Sequence, residues 1–235
     1  MEKIILDKVP NDYYYKLLGT GCSGNCFLMK NKLEVFKEFR AQINYLRQLE
    51  ELSTYKSNIF LFPKKFVFLN TDEDKNFLGY IRNAAKGIEF DSIDESSNFN
   101  IILSSMLELE KEMQNLTHQG MLMDDLNQDN LFYEEKNGFN VIDTDFYETT
   151  YNDDFKHQYK ENLKELSATI IHCLIRYGQF ESKELNDAVI KCGAYGNIRP
   201  SSLVYEFKEY IRKKTSSEVK TLGDFNKGIE LIKVK

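Results

Sequence analysis

Nowhere in this chain do eighteen apolar residues run together, so no transmembrane helix is expected. The first stretch, "MEKIILDKVPNDYYYK", has a three-residue apolar core, far less than a signal peptide needs. Cysteine is also scarce. Cys22, Cys26, Cys173 and Cys192 form no dense framework, which predicts reduced thiols and a cytoplasmic location. Cys22 and Cys26 are close enough to suggest a metal. The remaining candidates are His118, His157 and His172, with no second close-spaced pair, which argues against a zinc site. A basic excess is missing too: the net charge is -6, so a general nucleic-acid binder is not expected, nor a membrane partner. Tryptophan is absent and proline occurs three times, while Lys, Asn, Ile and Phe are frequent. That bias hints at an AT-rich genome and carries no mechanism.

What is present is enough for a core. Hydrophobic residues make up 42 % of 235, so one large domain or two small lobes can fold. No internal repeat or Gly/Ser linker divides the chain. The first ninety residues carry short β-type runs: "YYYKLL", "NCFLMK", "LEVFKEF", "KKFVFL" and "NFLGYI". Turn residues separate them, in "GTGCSG", "KNK" and "NTDEDKN". Ile43, Leu46, Leu49 and Leu52 recur at helical spacing and predict one helix over 40–52. Beyond residue 98 the texture is helical. A long amphipathic helix ends at Gly120, a hairpin turns at "EKNG", and helices follow over "YKENLKELSATIIHCLIRYG", 183–192 and "SSLVYEFKEYIRKK". The expected class is α+β: an antiparallel β-rich lobe with one helix over 1–82, a connector over 83–97 and a helical lobe over 98–235.

Gly19, Gly21 and Gly24 fall within six residues, and Lys37 follows thirteen residues after the last. A dinucleotide-binding turn must open a helix after its glycines, whereas "NCFLMKNKLEVFKEF" alternates and turns like a hairpin. A P-loop needs Lys and Ser/Thr where Asn25 and Cys26 stand. Two readings stay open. The glycines form the tip of a hairpin whose main-chain N–H groups approach phosphate, or they form an ordinary turn. Cys22 at that tip should face solvent. Lys37 sits among apolar residues in "EVFKEF". If buried it needs a partner such as a phosphate and a carboxylate; otherwise it lies on a solvated face.

In "GMLMDDLNQDNLFYEEKNGFNVIDTDF", Asp125 precedes Asn130 by five residues, and Asp143 follows Asn130 by thirteen. With Gly19, Gly21, Gly24 and Lys37 upstream, this order resembles the protein-kinase-like superfamily. That family carries H-R-D-L-x-x-x-N, a hairpin and D-F-G. The resemblance spans about residues 12 to 175 and implies a two-lobed kinase fold that uses ATP and Mg2+. It implies that Asp125 accepts the proton of an attacking hydroxyl, and that Lys37 holds the α- and β-phosphates. The glycines cap the phosphates, and Asn130 and Asp143 bind magnesium. "NFLGYIRNAAKGIEF" resembles the strand and hinge beside adenine, with Ile81 or Arg82 at the back of the pocket and the backbone of 82–85 along the adenine edge.

The departures matter. Met123 and Asp124 replace the family's His and Arg, so activation by loop phosphorylation loses its anion receptor. The D-F-G glycine is missing, and Asp145 either adds a carboxylate to the metal site or caps a turn. Glu50 is the expected ion-pair partner of Lys37; alternatively Gln42 stands in the glutamate's place and the pair is missing. Asn127 replaces a lysine usual in protein kinases, and Asn162 stands where the family has Asp. The expected function is a Ser/Thr protein kinase. The alternatives are a small-molecule hydroxyl kinase and a pseudokinase that binds nucleotide or acts as a scaffold.

Overall fold

The computed structural model describes residues 2–8, 14–150, 154–176 and 178–234. The fold is α+β, and the chain divides into two compact units. The first comprises Met1–Ala85 together with Asp143–Asp145, and the second Lys86–Ile142 with Phe146–Lys235.

The first unit is built on a six-stranded sheet. Its strands are β1 (Glu2–Leu6), β2 (Tyr14–Thr20), β3 (Gly24–Met29), β4 (Glu34–Phe39), β5 (Lys65–Leu69) and β6 (Phe77–Asn83). Their spatial order is β1-β5-β6-β4-β3-β2. The sheet is mixed, not antiparallel as expected, because β1 runs parallel to β5 along its outer edge. There it pairs backbone groups that would otherwise be exposed. The β3–β4 turn is set by Asn31, whose Oδ1 accepts the N–H groups of Leu33 and Glu34 at 2.9 and 3.1 Å. Lys32 takes φ +57 there.

Strand alternation sorts the side chains. Phe39, Phe66, Phe68, Phe77 and Tyr80 form one cluster with Leu46 and Leu49 of helix α1 (Leu46–Leu52). Phe36, Val67 and Ile81 form another with Ile4, Leu6, Phe27 and Met29. Helix α1 is shorter than the predicted 40–52. Ile43 and Tyr45 pack against the first cluster from a non-helical segment, so their apolar spacing is satisfied without helix.

In the second unit, β7 (Ile88–Glu89) pairs with β9 (Leu131–Glu134), which forms a hairpin with β10 (Gly138–Val141). Two short strands, β8 (Met121–Leu122) and β11 (Glu148–Thr149), pair with each other. The helices are α2 (Phe99–His118), α3 (Phe155–Ile170), α4 (Lys183–Gly193), α5 (Pro200–Thr215) and α6 (Leu222–Ile232).

Helix α2 is capped by Asn98, whose side chain accepts from Asn100 N–H at 3.0 Å. It ends beside Gly120 at φ +90, a left-handed position that glycine adopts readily. Its buried stripe is Ile102, Met106, Leu109, Met113 and Leu116. Buried Glu110 on the same helix accepts the Ser201 N–H and hydroxyl, each at 2.7 Å, in the first turn of α5. Helix α6 lies beyond the predicted helices. A capping box between Thr221 and Asp224 starts it, and Phe225 stacks on Phe99 at 4.4 Å. No helix among the described residues is long and apolar enough to cross a membrane.

Candidate functional site

Lys37 lies on β4 with only 3 % of its surface exposed. An ammonium ion in that position needs counter-charge. Asp145 supplies it through both carboxylate oxygens, at 3.0 and 2.9 Å from Nζ, and Asp143 Oδ1 accepts a further bond. Tyr80, opposite Lys37 on β6, donates its hydroxyl to Asp145 Oδ1 at 3.0 Å. Burial disfavours the ammonium charge, but Asp145 and Asp143 outweigh it and hold the Lys37 pKa above its ordinary value. For Asp143 burial acts to raise the carboxyl pKa. There Lys37 more than offsets it, by charge and hydrogen bond, and the carboxyl sits below the usual range. Asp145 is fully buried, and desolvation dominates to hold its carboxyl above that range. The cluster therefore contains a fixed cation, one ionised and partly exposed carboxylate, and one carboxylate sealed from water.

The glycines do different jobs. A Cβ on Gly24 would lie 2.1 Å from the Glu38 carbonyl oxygen, so the β3–β4 approach itself requires glycine. At Gly19 and Gly21 a Cβ would meet nothing within 4 Å, and neither residue has positive φ. The fold does not demand glycine at these two positions. Gly21 N–H donates to Gly24 O at 2.9 Å and closes the tip of the β2–β3 hairpin. Cys22 at that tip is exposed, while Cys26 on β3 pairs across the ladder with Lys37.

In the second unit the loop 123–130 is held by α3. Asn162 is fully buried. Its Oδ1 accepts Met123 N–H at 2.7 Å, and its Nδ2 donates to Met121 O at 2.9 Å and Thr117 Oγ1 at 2.8 Å. Two turns further on, Thr169 Oγ1 donates to Leu126 O at 2.9 Å. Asp125 is exposed at the bend and takes φ +57, a conformation that Asp tolerates better than most residues. Buried Asn130 donates Nδ2 to Asp125 O at 3.1 Å, which leaves Oδ1 as the atom able to meet a cation. Asn130 O accepts Ile142 N–H at 2.9 Å, and Asp143 is the next residue in the chain. Asp143 also has φ +57. Left-handed non-glycine residues of this kind concentrate at functional sites. On α3, Glu165 has its carboxyl pushed up by burial and by the charges of Asp124 and Asp125.

Three expectations change. Glu50 forms no ion pair with Lys37, whose carboxylate partners both come from 143–145. The short α1 leaves Gln42 exposed and outside the helix. Ile81 pairs with Phe36 and packs in the cluster with Val67, while Arg82 pairs with Val35 on the strand face that carries Lys37. Period-2 alternation thus excludes the Ile81 side chain from the lysine's surroundings. Its carbonyl is also engaged, accepting Lys64 N–H at 2.8 Å. Among the described residues the Asp145 carboxylate accepts from Lys37 and Tyr80, and it is the principal partner of the lysine. Tyr80 was legible only as a strand residue, since its role depends on the β4–β6 register. Among the described residues, no group of three His, Cys, Asp or Glu side chains is arranged to hold a metal ion. No protein-family model matches the chain, and no curated protein matches it.

Proposed function

We propose that this chain is an ATP- and Mg2+-dependent phosphotransferase with a two-lobed protein-kinase-like fold, acting on the Ser/Thr hydroxyl of a protein. The observation that carries this reading is the buried Lys37 ammonium, bound by Asp143 and Asp145 on the sheet that also bears the glycine hairpin. A buried lysine whose ammonium is favoured by two neighbouring carboxylates has the chemistry to bind the α- and β-phosphates. At Gly19 and Gly21 a Cβ would meet nothing within 4 Å, which leaves open space for phosphate oxygens to approach the main chain of the hairpin, although the Gly21 N–H itself is taken by Gly24 O.

The donor set suits magnesium. Asp143 is ionised and partly exposed, Asn130 retains Oδ1, and Mg2+ characteristically takes one or two carboxylates and completes its shell with phosphate and water. Magnesium, when bound, neutralises charge on the transferring phosphoryl group. Asp125 presents an exposed carboxylate on a loop fixed by Asn162 and Thr169, as a group that takes a hydroxyl proton requires.

A second reading, nucleotide binding without transfer, draws on Met123 and Asp124 in place of the family's His and Arg. The third, a small-molecule hydroxyl as acceptor, draws on Asn127 where protein kinases usually have Lys. Calorimetric titration with ATP, with and without Mg2+, tests the shared foundation. Wild type should bind far more tightly with Mg2+, and Asp143→Asn should lose that enhancement. A chain indifferent to ATP and Mg2+ together contradicts all three readings.

A further inference from the structure

Two carboxylates compete for one ammonium group, and the structure treats them unequally. The Asp145 side chain has 0 % exposure, and both its oxygens face Lys37 Nζ. One of them also receives the Tyr80 hydroxyl. Tyr80 is itself fully buried and is pinned by its ladder position opposite Lys37. Asp143 is 33 % exposed and offers Nζ a single oxygen. A lysine has three N–H donors, and here they meet the two Asp145 oxygens and one Asp143 oxygen. An incoming anion must therefore displace one of them. Asp143 can turn towards water or a cation, whereas Asp145 would have to abandon Lys37 and Tyr80 inside the core.

We propose that Asp145, braced by the Tyr80 hydroxyl, is the fixed counter-ion that positions Lys37, and that Asp143 is the exchangeable partner, which trades Lys37 for a divalent cation when a polyphosphate enters. This rests on the phosphotransferase reading for the identity of the ligand but not for the ion pair itself. It makes Asp145 a positioning residue and frees the lysine from any partner on α1, consistent with Glu50 forming no ion pair with it.

The test separates Asp145→Asn, Tyr80→Phe and Asp143→Asn by two measurements. The first is ATP affinity with and without Mg2+. Asp145→Asn should weaken binding in both conditions by on the order of 10–100-fold while keeping the ratio between them. Tyr80→Phe should act in the same sense, more weakly. Asp143→Asn should abolish the ratio. The second needs no nucleotide: the Lys37 ammonium, shielded from solvent exchange, should give a proton–nitrogen NMR signal. That signal should survive in Asp143→Asn and weaken or vanish in Asp145→Asn and Tyr80→Phe. If Asp145→Asn removes the Mg2+ effect, Asp145 is a metal ligand and the proposal falls. It falls equally if the ammonium signal depends on Asp143 alone. If wild type binds no nucleotide while the ammonium signal follows Asp145 and Tyr80, the phosphotransferase reading fails and the fixed ion pair stands. Should Asp145→Asn not fold, Tyr80→Phe decides, since it removes one oxygen and leaves both charges in place.

Discussion

Replacing Gly24, Gly19 and Gly21 singly with alanine should separate a glycine that the fold needs from two that a ligand needs. At Gly24 the new Cβ would stand 2.1 Å from the Glu38 carbonyl oxygen and 3.2 Å from Phe39 Cα. Carbon–oxygen contacts close at about 3.3 Å, so the strands must part by roughly 1 Å. Both neighbours are backbone, and no rotamer change relieves them. Forced overpacking of this kind costs about 1–3 kcal/mol. For a chain of this length that lowers Tm by roughly 2–12 °C. At Gly19 and Gly21 no atom lies within 4 Å of the new methyl group. Gly19 is in β2, where alanine restricts the unfolded chain and should be neutral or stabilising by up to about 1 kcal/mol. The assay is thermal unfolding of the three variants, followed by titration with ATP and Mg2+. Gly24→Ala should lose stability, whereas Gly19→Ala and Gly21→Ala should keep it and bind nucleotide on the order of tenfold more weakly. If Gly24→Ala is as stable as Gly19→Ala, the strand argument is wrong. If the other two bind nucleotide as wild type does, the hairpin is an ordinary turn.

Other outcomes follow from the same geometry. Asn162→Leu strands Met123 N–H and Met121 O without their buried partner, at about 1–3 kcal/mol each, which denaturant titration should register as a fall of roughly 2–6 kcal/mol. Lys37→Met leaves Asp143 and Asp145 without their cation and should destabilise by about 3–5 kcal/mol at neutral pH. The Asp143 pKa is depressed in the fold, so its share of this contribution is complete above the ordinary value of 3.8 and disappears as pH falls through the lower folded value, whereas Asp145, held above that range by burial, adds no share of that sign. The stability gap between wild type and Lys37→Met should therefore narrow on acidification below about pH 4, and a gap constant down to pH 2 would refute the pairing. Cys22, exposed at the hairpin tip, should react with a thiol reagent faster than Cys173, which is buried and whose pKa burial pushes up to about 12. ATP should slow the Cys22 reaction, and equal rates at the two thiols would misplace the hairpin.

Elements defined by local pattern were legible, and those defined by register were not. The stripe Ile102, Met106, Leu109, Met113 and Leu116, with Gly120 after it, marks α2 in the sequence, and the structure adds Asn98 as its cap. The hairpin at "EKNG" was equally plain. The α1 prediction overran because Ile43 and Tyr45 reach the same apolar cluster without being helical. The alternation of "GYIRN" has two phases. Only the pairing of Phe36 with Ile81 and of Lys37 with Tyr80 decides which side chains accompany the lysine. Lys37 could be singled out as a cation that needs a partner if buried, with a solvated face as the alternative, but Asp145 lies 108 residues away, and no local rule joins them. Helix α6 carried a readable start in Thr221 and Asp224 that the scarcity of other motifs near the end obscured.

The central claim is transfer, and it is met most directly by phosphate transfer from γ-labelled ATP with Mg2+. Wild type and Asp125→Asn should be compared with a cell extract separated into protein and small-molecule fractions. Wild type should label a protein band, and Asp125→Asn should lower that rate by about 10²–10⁴-fold while binding nucleotide as before. Label in a metabolite instead would move the acceptor to the small-molecule class. Undiminished transfer by Asp125→Asn, or nucleotide binding by wild type with no label in either fraction, would contradict the account.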